Sequence, residues 1–264
     1  MWLLEKLPPA KTVILFIFWI QLTSALMVFF LSQESLFQTR KGIEYTIEEI
    51  DSSPSELRTR KFTRTTIPTL KKDNTQRPSV VLPSKISDQL DFSVVKIRGF
   101  GKGVLLSGEI ADGDAQKFVE FIKNVKGLPI EFVALHSPGG SVMEAMIIGE
   151  EIRERALKTM LPGHSYCYSA CPYIMAGGIE RIFSSYSLLG VHQHFFPDNM
   201  LIPVYFAAQS VQKGQAKTFR HLKQMGINTE IMEHILSTPP EEIYVLSTEE
   251  LEKYNFATEL IGPA

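Results

Sequence analysis

The strongest feature of the hydrophobic pattern is a run without a single charge, from Thr12 to Ser32. It shows no polar face at helical spacing, unlike the surface helix of a globular domain. About twenty apolar residues in a helix span about 30 Å, the thickness of a bilayer core. The run therefore predicts a transmembrane anchor over 12–32, with residues 1–11 as a short cytoplasmic end. A signal peptide and a buried core helix are the alternatives. The first has a shorter apolar stretch and a small-residue cleavage site, which Phe29, Phe30 and Leu31 fit poorly. Lys6 and Lys11 before the run, against Arg40 and Lys41 after it, give a shallow bias that leaves the body outside the cytoplasm.

Residues 33–90 lose this pattern and read as a partly disordered linker. Pro68, Pro78 and Pro83 punctuate it, and Arg58, Arg60, Lys61, Arg64, Lys71, Lys72 and Arg77 face only Asp73 in the second half. Such a segment has little to bury, and its charge suits a solvated tether or contact with anionic lipid headgroups. A short strand or helical turn is compatible with 45–50.

From residue 91 to 264 the pattern alternates. Val94 to Ile97 and Gly103 to Ile110 read as strands, and a helix starting at Asp112-Gly113-Asp114 buries Phe118, Phe121 and Ile122. Pro129 to Leu135 is a buried strand, and a helix carries Val142, Ala145, Met146, Gly149 and Ile152 on one face. A strand over 159–161, helices over 206–225 and 229–236 and a closing helix and strand complete it. Strands alternating with helices predict an α/β domain with a largely parallel sheet.

Composition excludes little more. The chain has 264 residues, 44% hydrophobic and 21% charged, which is ordinary for a globular domain with extra segments. A formal net charge of −2 gives no electrostatic reason to expect nucleic acid as a partner.

Three segments at predicted strand ends carry candidate chemistry. His136-Ser137-Pro138-Gly139-Gly140-Ser141 is a strand meeting a turn and a helix start, where backbone N–H groups suit an anionic oxygen. In Cys167-Tyr168-Ser169-Ala170-Cys171-Pro172, Pro172 fits a helix only in its first turn, which puts Ser169 at a helix start. Alone, that serine reads as an N-cap. Ser187 to Gln193 is a strand closing on His192, and an imidazole is the usual base for a serine hydroxyl.

In order and spacing these segments resemble the Clp protease proteolytic subunit of the Clp/crotonase superfamily, over roughly 92–262. Bacterial membrane-anchored or exported Clp-like proteins share the Cys-x-Ser-x-Cys form. The resemblance implies repeated ββα-type units with flanking helices, Ser169 as nucleophile, His192 as general base, and Gly139 or Gly140 with Ala170 as oxyanion hole. The family's third member, an aspartate, aligns with Ile243, so Glu242 or its neighbour Glu241 is the substitute, with Asp198 a weaker one. No match to the loops that dock an ATPase is found. The activity implied is an ATP-independent serine peptidase acting on peptides or unfolded proteins, without cofactor or metal. It would sit on the bacterial inner membrane as a single-pass protein, its domain in the periplasm or outside. A homo-oligomer is compatible with this. The alternatives are a degenerate domain that binds or scaffolds, and a CoA-type acyl-transfer enzyme.

Cys167 and Cys171 are four apart. In a helical turn their Cα atoms come within disulfide range, and an exported location permits the bond. Free thiols and a metal site are the alternatives, the latter with only His136 and His164 to add.

Overall fold

The computed structural model describes residues 9–37, 46–50, 66–70, 80–83, 85–97, 99–127, 129–194 and 204–262. The chain divides into two units, Met1–Ile43 and Glu44–Ala264.

The first unit holds helix α1 (Ala10–Phe37), 28 residues long. Its side chains are described over 11–27, and all of those are exposed, including Ile14, Phe16 and Trp19. Among the described residues no helix is long and apolar enough to cross a membrane. The helix is thus present as expected, but its described part does not by itself amount to a membrane span.

The second unit begins with two strands inside the expected linker, β1 (Thr46–Ile50) and β2 (Thr66–Leu70), paired in parallel. Val80 and Leu90, also read as linker, are buried at 5% and 3% exposure. Most of the expected linker lies outside the described residues; within it the structure describes these two strands and these two buried side chains. Few apolar residues supply the contacts, so a window average over the segment hides them.

The main sheet has six strands in the order β11-β8-β6-β5-β4-β3. In chain order they are β3 (Asp91–Ile97), β4 (Gly101–Ser107), β5 (Phe132–His136), β6 (Lys158–Leu161), β8 (Arg181–Ser184) and β11 (Glu259–Ile261). Only the β3–β4 pair is antiparallel. Helix α2 (Asp114–Asn124) connects β4 to β5, and α3 (Val142–Glu154) connects β5 to β6. Between them Phe118, Val133, Leu135, Ile148 and Ile152 form a core that is essentially dry. The result is a mixed α/β architecture with a mostly parallel sheet and flanking helices.

A second sheet of three strands, in the order β10-β9-β7, lies at the carboxyl end of β5. It consists of β7 (Tyr166–Tyr168), β9 (Leu188–Val191) and β10 (Tyr244–Val245). β7 and β10 are too short to show in a periodicity. The junction between the sheets is Ser137. Its N–H donates to the Tyr166 carbonyl at 2.9 Å, and its own carbonyl accepts from the Tyr168 N–H at 3.0 Å. The turn after β5 is thereby laid beside the end of β7.

Short α4 (Cys171–Met175) follows β7. Then come α5 (Val204–Gln224), a 3-10 turn over Thr229–Ile231, α6 (Met232–Ser237) and α7 (Thr248–Lys253). The closing segment is held by Arg181. Its guanidinium, 4% exposed, donates to the carbonyls of Phe256, Gly178 and Asn255 at 2.9–3.1 Å. Burial, and secondarily the Arg153 charge, lower its pKa to about 10.

Asp114, expected to help cap α2, does a different task. Gly113 is the N-cap, and the Asp114 carboxylate is fully buried. It accepts the N–H of Ala111 at 2.7 Å and of Leu90 at 3.1 Å, with Lys117 Nζ at 2.9 Å. Replacing it leaves buried donors without a partner. Asp114→Ala should therefore lower stability by about 2–4 kcal/mol, read by urea denaturation. An unchanged midpoint would contradict this assignment.

Candidate active site

The site is built at the end of β7. Parallel pairing of β7 with β9 aligns Tyr166 with Leu188, Cys167 with Leu189 and Tyr168 with Gly190. The Ser169 N–H then donates to the Gly190 carbonyl at 3.1 Å. Continuing this register places Ser169 and His192 at the carboxyl ends of neighbouring strands, one residue out of step.

Ser169 has φ of 60°. A non-glycine residue in the left-handed region costs about 1–3 kcal/mol and persists only where its surroundings impose it. Here the chain must leave β7 and enter α4 within two residues. Ala170 is the N-cap, and Pro172 sits in the first turn, where its missing N–H removes no helix bond. Ser169 is therefore not the N-cap, the role a serine in isolation would suggest. It sits on the strained turn just before it, half-buried.

Gly139 fits against this turn. A Cβ there would meet Ser169 Cβ at 2.5 Å, the Tyr168 carbonyl oxygen at 2.7 Å and the Ala170 nitrogen at 2.9 Å. Only glycine allows that approach, and φ of 106° favours glycine as well. Ile110 holds the turn from its other side: its N–H donates to the Gly139 carbonyl and its carbonyl accepts from the Ser141 N–H, both at 2.7 Å.

Two glycines were open as oxyanion donors. The Gly139 N–H is taken by Ser137 Oγ at 3.2 Å. Among the described residues no acceptor is found for the N–H of Gly140 or of Ala170.

Cys167 and Cys171 form a disulfide, with Cα atoms 5.1 Å apart and both residues buried. It closes the loop that contains Ser169, tying the last part of β7 to the first residue of α4. Neither a free thiol nor a metal site is found among the described residues. His136 packs its ring 4.3 Å from that of Tyr166, and His164 stacks on Tyr186 at 5.7 Å.

The expected third member lies on the segment that leads into β10. Antiparallel pairing of β10 with β9 sets Tyr244 against Val191 and Val245 against Gly190. One step on, Ile243 stands opposite His192, and Glu242 falls opposite Gln193. Ile243 Cγ2 and Tyr168 Cδ1 each lie 2.7 Å from where a Gly190 Cβ would stand, so an aliphatic side chain covers this strand end. Glu242 is half-buried and its N–H donates to the Pro239 carbonyl at 3.0 Å. Glu241 is exposed. Asp198 lies outside the described residues.

Beside His192 is a cavity of about 350 Å³. Gln193, His194 and Glu241 form its polar wall, while Met232, Ile235 and Leu236 form an apolar one. Its other side is α5, through Val211, Gln215 and Thr218. Of the lining residues only Gln193 and Glu241 were named from the sequence, because the lining comes from four separate segments. Burial lowers the His194 pKa below the usual imidazole value, so its ring is neutral at pH 7.

The disulfide should be detectable directly. Intact mass should rise by two hydrogens on reduction, and alkylation should mark Cys167 and Cys171 only afterwards. Two reactive thiols in unreduced protein from its native compartment would contradict the bond.

No family model and no curated protein matches the chain. Among solved structures, a mutant of ClpP1 from Listeria monocytogenes is similar at 20% identity and a TM-score of 0.46, over 60% of this chain and 90% of that one.

Proposed function

We propose that the chain is a serine peptidase, with Ser169 as nucleophile and His192 as general base, that cleaves peptides or unfolded proteins without an ATPase or cofactor. The observation that carries this reading is the strained φ of Ser169 on a strand-to-helix turn, one register step from His192, with two backbone N–H groups alongside. Strain of this kind is maintained where a side chain must be presented for chemistry.

In the proposed reaction Ser169 Oγ attacks the scissile carbonyl while His192 takes its proton. The negative oxygen is received by the N–H groups of Gly140 and Ala170. The C–N bond then breaks, and His192 returns the proton to the departing amine. Water repeats the cycle on the acyl-enzyme, transferring its proton to His192 and releasing Ser169. A substrate side chain occupies the cavity lined by His194, Gln215 and Thr218.

The chain is also proposed to be anchored in the bacterial inner membrane by residues 12–32, with its domain in the periplasm or outside. Support comes from the uncharged run, the exposed apolar side chains of α1 and the Cys167–Cys171 disulfide, which suits an oxidising compartment.

One observation favours a second reading. The strand position facing His192 holds Ile243, where the resembled family has an aspartate, and a triad that loses its carboxylate slows by orders of magnitude. A domain that binds peptides without turnover is consistent with that.

Ser169→Ala should abolish peptide turnover with little change in thermal stability, and His192→Ala should reduce it at least about a hundredfold. Equal residual turnover in wild type and Ser169→Ala would favour the binding reading. Alkaline carbonate extraction should leave the full-length protein in the membrane pellet; release into the supernatant would refute the anchor.

A further inference from the structure

The lining of the cavity beside His192 carries the signature of the side chain it would take. One wall is aliphatic: Met232 and Ile235 are buried, and Leu236 is open to solvent. At about 350 Å³ the cavity lies near the lower end of the range for ligand pockets, about 300–1,000 Å³. That suits one long side chain.

Most polar groups in the lining are already engaged. His194 Nε2 is hydrogen-bonded to the Tyr173 hydroxyl at 3.1 Å. The Gln193 side-chain amide donates to the Leu236 carbonyl, and Thr218 Oγ1 donates to the Gln215 carbonyl at 3.0 Å. Two polar side chains of the lining have no hydrogen bond or ion pair among the described residues: the half-buried Gln215 amide and the exposed Glu241 carboxylate. Glu241 is also the only acidic residue of the lining, which contains no lysine or arginine. The lysines that flank Gln215 on α5, Lys213 and Lys217, are exposed and lie outside the lining.

An aliphatic wall beside an unpaired carboxylate complements an aliphatic stem with a cationic end, which is how lysine and arginine are built. A neutral tip would leave the carboxylate without a counter-charge, and an acidic tip would be repelled by it. We propose that the cavity selects peptides with a lysine or arginine next to the cleaved bond, Glu241 being the residue that sets this preference and Gln215 an additional hydrogen-bond acceptor. This rests on the peptidase reading above and deepens it by naming the substrate class.

The test uses full-length protein and two fluorogenic peptides that differ only in arginine against citrulline, its neutral near-isostere, beside the cleaved bond. Glu241 is exposed, so its charge is screened, and wild type should prefer arginine about fivefold in kcat/KM. That ratio should fall to about one in Glu241→Gln and below one in Glu241→Lys, and salt at about 1 M should shrink it in wild type. A role for Glu241 in a triad would instead lower both peptides by the same factor and leave the ratio as it was. Melting temperatures check that the variants are folded. A wild-type ratio near one, or an equal ratio in wild type and Glu241→Gln, would overturn the inference while turnover itself upholds the peptidase reading. If wild type cleaves neither peptide, the peptidase reading fails, and fluorescence anisotropy with labelled forms of the same peptides decides on the cavity. Tighter binding of the arginine peptide that vanishes in Glu241→Gln upholds the cation preference; equal binding of the two rejects it.

Discussion

The parallel register of β7 on β9 is the constraint on which the rest of the site depends. Those strands pair over only three residues, yet the pairing decides that Ser169 and His192 leave the sheet at the same end. Everything nearby fixes that register. Ser137 joins β7 to the main sheet through two backbone hydrogen bonds. Gly190 has no side chain, which lets Tyr168 and Ile243 close over it from the two flanking strands. A shift of one residue would turn the side chains of β7 to the opposite face of the sheet and bury Ser169 or move it away from the Gly139 turn.

Rigidity around Ser169 is assembled from several weak sources and one covalent one. The Cys167–Cys171 bond spans the turn, Pro172 sets the helix entry, and Gly139 packs so closely that no side chain is tolerated. Together they sustain a backbone conformation that a serine in a free loop would abandon. Around His192, Ile243 occupies the facing strand position, and the neighbours Gln193 and His194 are hydrogen-bonded to the Leu236 carbonyl and the Tyr173 hydroxyl.

Much of this was legible in the sequence. The order of Gly139-Gly140, Ser169 and His192, the helix start marked by Pro172, and the long strands and helices of the main sheet all follow from pattern and turn chemistry. What escaped had physical reasons. β7 and β10 are three and two residues long, shorter than any periodicity can reveal. The buried Val80 and Leu90 sit singly in a polar, proline-marked stretch. No local signal marks Arg181 as buried, because its guanidinium is enclosed by three carbonyls that only the folded chain brings together. Tyr173 and His194 are 21 residues apart, and no local signal pairs them. The Gly139 N–H donates to Ser137 Oγ, a bond that spacing does not encode.

The central claim is that the strained turn at Ser169 presents an activated hydroxyl. The most direct measurement is to treat the purified full-length protein with a fluorophosphonate and locate the adduct by peptide mass spectrometry. The account predicts a single adduct on Ser169, formed much more slowly in His192→Ala. Absence of any adduct on Ser169 in folded wild-type protein, or labelling at the same rate in His192→Ala, would contradict it.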